Sequence, residues 1–471
     1  MREVYPGRFE YTRNEQGTAV AGIVFSLIWG IFLLKSPFMA SVLIAPFAAW
    51  FVFKPRVELF LPLMITTFWG AQISYLISLC CLIYALINFE RLQRKGLILA
   101  FLVYLTGLPF FVWFTYTRMA FEGVRGTEFS GAMSSLGSYL SLAPFFWAAI
   151  SFRRLPEGFF RHLYKISLLF LLLYLFRSLP IVKNVYVFIR YSVWCVTMIP
   201  MSFVMNVYVL KRRLSGWTVI EVFCMVLMVA MFLKGGEGAI TFTQIGTAGY
   251  ACFLLVWGRR IRSCKWLMMP AFLLILSCFY VWGSAERKRN YDEEGRRESY
   301  EELKINSIGS FITRLRAKAY GDRAGVWAAS VNSIKKHWRE SPVFIPPEAD
   351  VAELDVYQSG SGQEITTGVG IAAHNVFLNC FRSFGFWGGS SLFLTYLLLV
   401  GFGKYPRFII RHSRDWYGGC CAICLTHAVV GGISGHYLTS LAFGFAEWGI
   451  LGLCAACDYE DRWTMNRGRR W

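Results

Sequence analysis

Apolar runs long enough to form helices recur along nearly the whole chain, separated by short basic connections. A bilayer core of ~30 Å takes about 17–25 such residues as a helix. The runs are continuous and lack a period of two, which favours helices over the strands of a transmembrane barrel. The pattern predicts spans over residues 18–35 and 37–53, joined at Lys35-Ser36-Pro37. Residues 57–89 are apolar between two basic anchors, which fits either a tight pair of short spans or one re-entrant element broken near Gly70. Further spans are expected at 96–116, 136–151, 164–180, 190–210, 217–233, 240–258 and 266–283, and then at 386–403, 417–433 and 438–456. The total is about 12–14 transmembrane helices by the length criterion. The expected fold is an all-α polytopic membrane protein with one large, mostly helical loop. Residues 1–283 form the first group of spans, 284–384 the loop, 385–457 the last spans and 458–471 a tail.

The loop is the one long hydrophilic segment. Residues 285–304 carry dense charge of both signs. Over 307–339, Ile308, Phe311, Ile312 and Leu315 share one helical face, and Arg323, Trp327, Val331, Ile334 and Trp338 form a second stripe. Residues 341–373 hold no Lys or Arg but several carboxylates and the run Ser359-Gly-Ser-Gly362. That composition suits a lid or hinge, and equally a flexible connector.

The charge decides the orientation. The formal net charge of +19 could suggest a polyanion partner. The excess, however, sits in short connections such as Lys54 to Arg56, Arg91 to Lys95, Lys211 to Arg213, Arg259 to Lys265 and Lys404 to Arg414. It therefore reads as the positive-inside signal, not as a nucleic-acid surface. Both termini then lie in the cytoplasm and the loop lies outside. With 56% hydrophobic and only 16% charged residues, the composition is that of a membrane protein. None of the thirteen cysteines lies in the hydrophilic segment 284–371, so a disulfide framework there is not expected. Met1–Gly17 is polar and is not a cleavable signal peptide; the first apolar run serves as an anchor.

The candidate chemistry follows the loop. His374-Asn375, nine residues, Gly385, two residues and Gly388 lead straight into a span. Ionisable groups at the foot of a membrane helix are costly unless they face water or a site. This His-Asn-x9-Gly-x2-Gly pattern resembles the O-antigen ligase and O-antigen polymerase superfamily of bacterial inner-membrane proteins. It stands where that superfamily carries it, after the large periplasmic loop and before the last spans, and Arg323 to Trp327 supplies an Arg-x-x-x-Trp element within the loop.

The resemblance implies a metal-independent glycosyltransferase without cofactor. Its donor is a glycan on undecaprenyl diphosphate, and an acceptor hydroxyl attacks the anomeric carbon while the polyprenyl diphosphate leaves. The partners implied are that donor, a glycan or lipid-linked acceptor, membrane lipid, a chain-length regulator and a flippase. The residue types suit the reaction. A neutral histidine accepts the acceptor's proton near pH 7, which makes His374 the catalytic candidate. Arginine's planar fork holds phosphate oxygens without losing its charge. Arg323, Asn375, Lys234, Arg125, Arg177 and Arg190 are the candidates for diphosphate or sugar contacts, and Arg118 and Arg382 are further outer-side cations. Each arginine could equally be an interface anchor, and His374 a polar anchor. Gly385 and Gly388 would permit a close helix approach or a sharp entry into the membrane. His162, His337, His412, His427 and His436 lack a partner spacing, and no sequence pattern suggests a metal site.

Two positions depart from the superfamily. Where many relatives carry Ser-Arg-Gly after a central span, this chain reads Lys234-Gly-Gly-Glu237-Gly-Ala239, with a carboxylate at the arginine position. Either a neighbouring cation holds the diphosphate, or Glu237 meets a sugar hydroxyl or the acceptor. Ile345-Pro-Pro347 stands where relatives often have a Gly-x-Gly turn. The favoured expectation is a polymerase of surface polysaccharide, O-antigen or exopolysaccharide. The alternatives are a ligase to lipid A–core, a protein O-oligosaccharyltransferase, and, from another class, a lipid-linked-oligosaccharide flippase or other transporter. The absence of an internal repeat counts against the transporter.

Overall fold

The computed structural model describes residues 12–35, 37–68, 71–92, 94–125, 139–152, 376–402 and 445–456, with shorter pieces between them. All regular structure among the described residues is helical, without strands. Eight helices carry the argument. They are α1 (Arg13–Lys35), α2 (Pro37–Phe53), α3 (Phe60–Phe68), α4 (Ala71–Ile87), α5 (Lys95–Arg125), α6 (Ala143–Ser151), α7 (Val376–Phe402) and α8 (Phe445–Ala456).

The start of α1 is set by Thr12. Its hydroxyl accepts from the Glu15 backbone N–H at 3.3 Å, and Glu15 accepts in return from the Thr12 N–H at 2.8 Å, a reciprocal capping box. Helices α1 and α2 form a hairpin about Ser36, so Arg13 and Phe53 stand at the same end. Short 3-10 turns, Val57–Leu59 and Phe89–Arg91, lead into α3 and follow α4. Within 57–89 the described residues form two helices, α3 and α4, and residues 69–70 between them lie outside the described residues. At ~1.5 Å per residue, the nine residues of α3 reach less than halfway across a bilayer core.

The expectation over 136–151 differs in detail. A turn at Ser141–Leu142 interrupts the segment, and α6 begins only at Ala143, with Pro144 in its first turn. Proline fits there because its missing N–H would have no helical partner. The resulting helix is nine residues long and too short to cross a bilayer alone.

Helices α3, α6 and α8 meet in an aromatic cluster. Phe60 stacks on Trp147 at 5.9 Å and 11°, and Phe152, Phe159 and Phe445 surround the pair at 5.6–6.0 Å. The Trp147 indole donates to the Val52 carbonyl at 3.0 Å, tying α6 to the end of α2. Trp448 on α8 packs edge-on against Tyr396 of α7 and Phe145 of α6.

These helices also expose many large apolar side chains. Phe25 and Ile28 on α1, Phe47 and Trp50 on α2, Ile87 on α4, and Val112 and Trp113 on α5 are all between 44% and 68% exposed. Soluble monomers rarely expose contiguous apolar surface on this scale. Helices apolar all round belong in a large core or in lipid. Hydroxyls on these helices turn back to backbone carbonyls of their own helix: Thr66 to Pro62, Thr115 to Phe111 and Thr395 to Ser391, at 2.7–2.8 Å. Among the described residues, Lys95–Trp113 and Phe384–Gly401 are long and apolar enough to cross a membrane.

Candidate active site

The stretch that follows His374-Asn375 is α7, and it is not a single rod. Gly385 has φ 65° and ψ −169°, a conformation essentially restricted to glycine. It divides α7 into a short arm, 376–384, and a long arm, 386–402. The two arms fold back on each other. A Cβ built on Gly389 would lie 2.7 Å from the carbonyl oxygen of Cys380 and 2.9 Å from Cα of Phe381. In a straight helix residues 380 and 389 would be about 13.5 Å apart at 1.5 Å per residue. The rings of Phe381 and Phe393, twelve positions apart, lie 5.7 Å from each other across the fold.

Helix α5 supports this corner from the side. Phe111 packs against Phe384 with ring centroids 4.1 Å apart, and a Cβ on Gly388 would come within 3.2 Å of Phe384 Cβ and 3.3 Å of Phe110 Cβ. Further along, Ser391 donates to the Val103 carbonyl at 2.6 Å, and Gly107 has no room for a side chain because Ser391 Oγ lies 2.5 Å from its Cβ position. The order of these contacts makes α5 and the long arm antiparallel. Small residues at their crossing allow the backbones to approach, as helices do in lipid.

Behind Phe111 stands a stacked tyrosine pair. Tyr104 and Tyr139 lie 4.2 Å apart at 7°, and each hydroxyl donates to the other's backbone carbonyl, at 3.0 and 2.7 Å. Phe111 also contacts Tyr139 at 4.2 Å, so an unbroken aromatic row connects α5, the turn before α6 and the Gly385 corner. This row holds the corner in place.

No protein-family model matches the chain, and no curated protein matches its sequence. The site therefore rests on its own residues. Of the candidates, Gly385 and Gly388 lie within the corner, one at the positive φ and one at the close approach to α5. Arg125 is the last residue of α5, and Arg118 and Arg382 fall within α5 and α7. His374, Asn375, Lys234, Glu237, Arg323, Arg177 and Arg190 lie outside the described residues. His374 and Asn375 immediately precede Val376, the first residue of the short arm.

Sequence reasoning passed over Gly389, whose backbone makes the tightest approach of the two arms. The signal was present as the doublet Gly388-Gly389, since two adjacent glycines are costly in a helix without a packing reason. It also passed over Glu447, a carboxylate 2% exposed within α8 beside Trp448. Among the described residues no group of three His, Cys, Asp or Glu side chains could hold a metal ion.

Proposed function

We propose that this chain is a polytopic glycosyltransferase of the bacterial inner membrane that polymerises surface polysaccharide on the periplasmic side. The observation that carries the reading is the Gly385 corner. The two glycines of the His-Asn-x9-Gly-x2-Gly pattern coincide with a fold-back and a helix crossing, so their spacing from His374-Asn375 has a physical use. The apolar outer faces of α1, α2, α4 and α5 support the membrane placement. The likeness of the pattern to the O-antigen ligase and polymerase superfamily supplies the reaction class.

In this reading the donor is a glycan on undecaprenyl diphosphate, with its tail in the bilayer. The acceptor hydroxyl attacks the anomeric carbon, His374 takes the hydroxyl proton, and the bond from that carbon to the diphosphate oxygen breaks. The diphosphate leaves as an anion, so the protein must supply positive charge more than a proton. Arg323 and Lys234 fill that role, with Arg125, Arg177 and Arg190 as further cations and Asn375 orienting the histidine or a sugar. Glu237, three residues after Lys234 in the sequence, acts on a sugar or acceptor hydroxyl.

Deletion of the gene followed by analysis of lipid-linked and surface glycan tests the reading. A polymerase deletion leaves single repeat units, some transferred to their final acceptor. A full ladder retained on the carrier would identify a ligase instead. Units trapped on the cytoplasmic side would identify a flippase, and either result overturns the polymerase.

A further inference from the structure

A cavity of about 470 Å³ opens between α1, α2 and α3, far along the chain from the Gly385 corner. Its walls include Gly22, Phe25, Phe47, Trp50 and Leu63. Phe25 and Phe47 are 48% and 59% exposed, so the cavity is a groove open to the side and not an enclosed void. Its deep end holds two hydroxyls, Ser26 and Thr66, and both are already committed. Each donates to the Pro62 carbonyl, at 3.0 and 2.8 Å, and they lie 3.2 Å from each other. Nothing there asks for a polar ligand, so the deep end suits hydrocarbon.

The other end is different. Arg56 lines the groove where α2 has ended and the chain turns toward α3. Lys54, outside the groove wall, places its ammonium over the face of Trp50, 5.7 Å from the ring centroid. Two carboxylates, Glu15 and Glu58, offset part of this charge, and against Arg13, Lys54 and Arg56 they leave a formal excess of one positive charge at this end. Glu15 accepts from the Thr12 N–H and hydroxyl, and Glu58 is buried. Between Thr18 at the charged end and Ser26 at the deep end, α1 advances about 12 Å at 1.5 Å per residue, the reach of part of one acyl chain.

We propose that this groove binds one acyl chain of an anionic phospholipid, with the lipid phosphate held at Arg56. The site rests on the membrane reading given above, and is distinct from the candidate active site. Charge complementarity selects the occupant: an apolar slot with a cation at its mouth matches a hydrocarbon chain with an anionic head. By the positive-inside pattern this cation faces the cytoplasmic leaflet, where anionic lipids attract basic residues near the surface.

The test uses the full-length protein purified from membranes in mild detergent. Phosphatidylglycerol or phosphatidylcholine with the same acyl chains is added, and retained lipid is counted by native mass spectrometry. We expect about fivefold preference for phosphatidylglycerol, the discrimination typical of a single interfacial cation. Arg56→Gln brings the preference close to one while chain binding persists. Ala21→Trp, at an exposed wall position, fills the groove and lowers retention of both lipids. Equal retention of the two lipids by the native protein would overturn the proposal, as would undiminished retention by Ala21→Trp. Displacement of the lipid by millimolar inorganic phosphate would reduce the site to an anion contact and also overturn it. Extraction of the protein from membranes by alkaline carbonate would sink the underlying membrane reading, whereas lipid results on membrane-embedded protein bear on the groove alone.

Discussion

Gly389→Ala is the sharpest perturbation of the Gly385 corner. The added methyl carbon would sit 2.7 Å from the Cys380 carbonyl oxygen, 2.9 Å from its carbon and 2.9 Å from Phe381 Cα. These are backbone atoms, so no side chain can swing aside. Carbon contacts are comfortable at about 3.5–4.0 Å, so the arms must part by roughly an ångström. Overpacking of this kind costs about 1–3 kcal/mol. Alanine also brings a gain in helix propensity of up to ~1 kcal/mol over glycine, which has to be separated from the clash. Gly401→Ala provides that reference: it lies on the same long arm, and its Cβ would meet nothing within 4 Å. Both substitutions carry a propensity gain, so the difference between them approximates the clash. Apparent melting temperatures in one detergent should rank Gly401→Ala at or above the native protein and Gly389→Ala below it. A Gly389→Ala protein as stable as Gly401→Ala would refute the fold-back.

Three other expectations follow from the same geometry. Gly107→Ala drives a methyl group into Ser391, whose Cβ lies 3.1 Å from the new carbon, and Ser391→Gly should restore part of the lost stability. A double-mutant cycle measured by thermal unfolding should give a coupling of about 0.5–3 kcal/mol, and simple additivity would contradict the α5–α7 crossing. Tyr104→Phe and Tyr139→Phe each remove one hydroxyl-to-carbonyl bond and should each cost about 1 kcal/mol in the same assay, with the stacked rings left in place. Phosphatase reporters fused after Lys95 and after Arg125 should be inactive and active respectively, because α5 separates those ends; equal activity would contradict the assigned crossing.

Among the described residues part of the helical layout was legible in the pattern of apolar residues; the expected spans over 190–210, 240–258 and 266–283, and most of the expected loop, lie outside them. The expected second span, 37–53, coincides with α2, and the first lies within α1, because the Lys35-Ser36-Pro37 junction marks a helix end in residue chemistry alone. The stretch 57–89 left open a pair of short spans or an element broken near Gly70; the described residues form α3 and α4, and residues 69–70 lie outside them. What periodicity could not convey was length set by tertiary contact. Over 136–151 the residues are mostly apolar, yet the chain turns at Ser141–Leu142 so that Tyr139 can stack on Tyr104 while Phe145 meets Trp448. Gly385 and Gly388 were legible as a spacing, and the structure shows a positive φ at the first and a close helix approach at the second. The fold-back that uses them depends on Gly389, Gly107 and Ser391, whose roles arise from partners remote in sequence. Helical segments over 376–384 and 386–402 are each ordinary by composition, and only the backbone at Gly385 distinguishes a hairpin from a rod.

The most direct test of the proposed chemistry uses membranes or purified protein supplied with one lipid-linked repeat unit. Wild-type protein should join units into dimers and longer chains, with release of undecaprenyl diphosphate. His374→Ala should accumulate at the wild-type level in the membrane and form no product. Chain growth by His374→Ala at the wild-type rate would contradict the catalytic assignment.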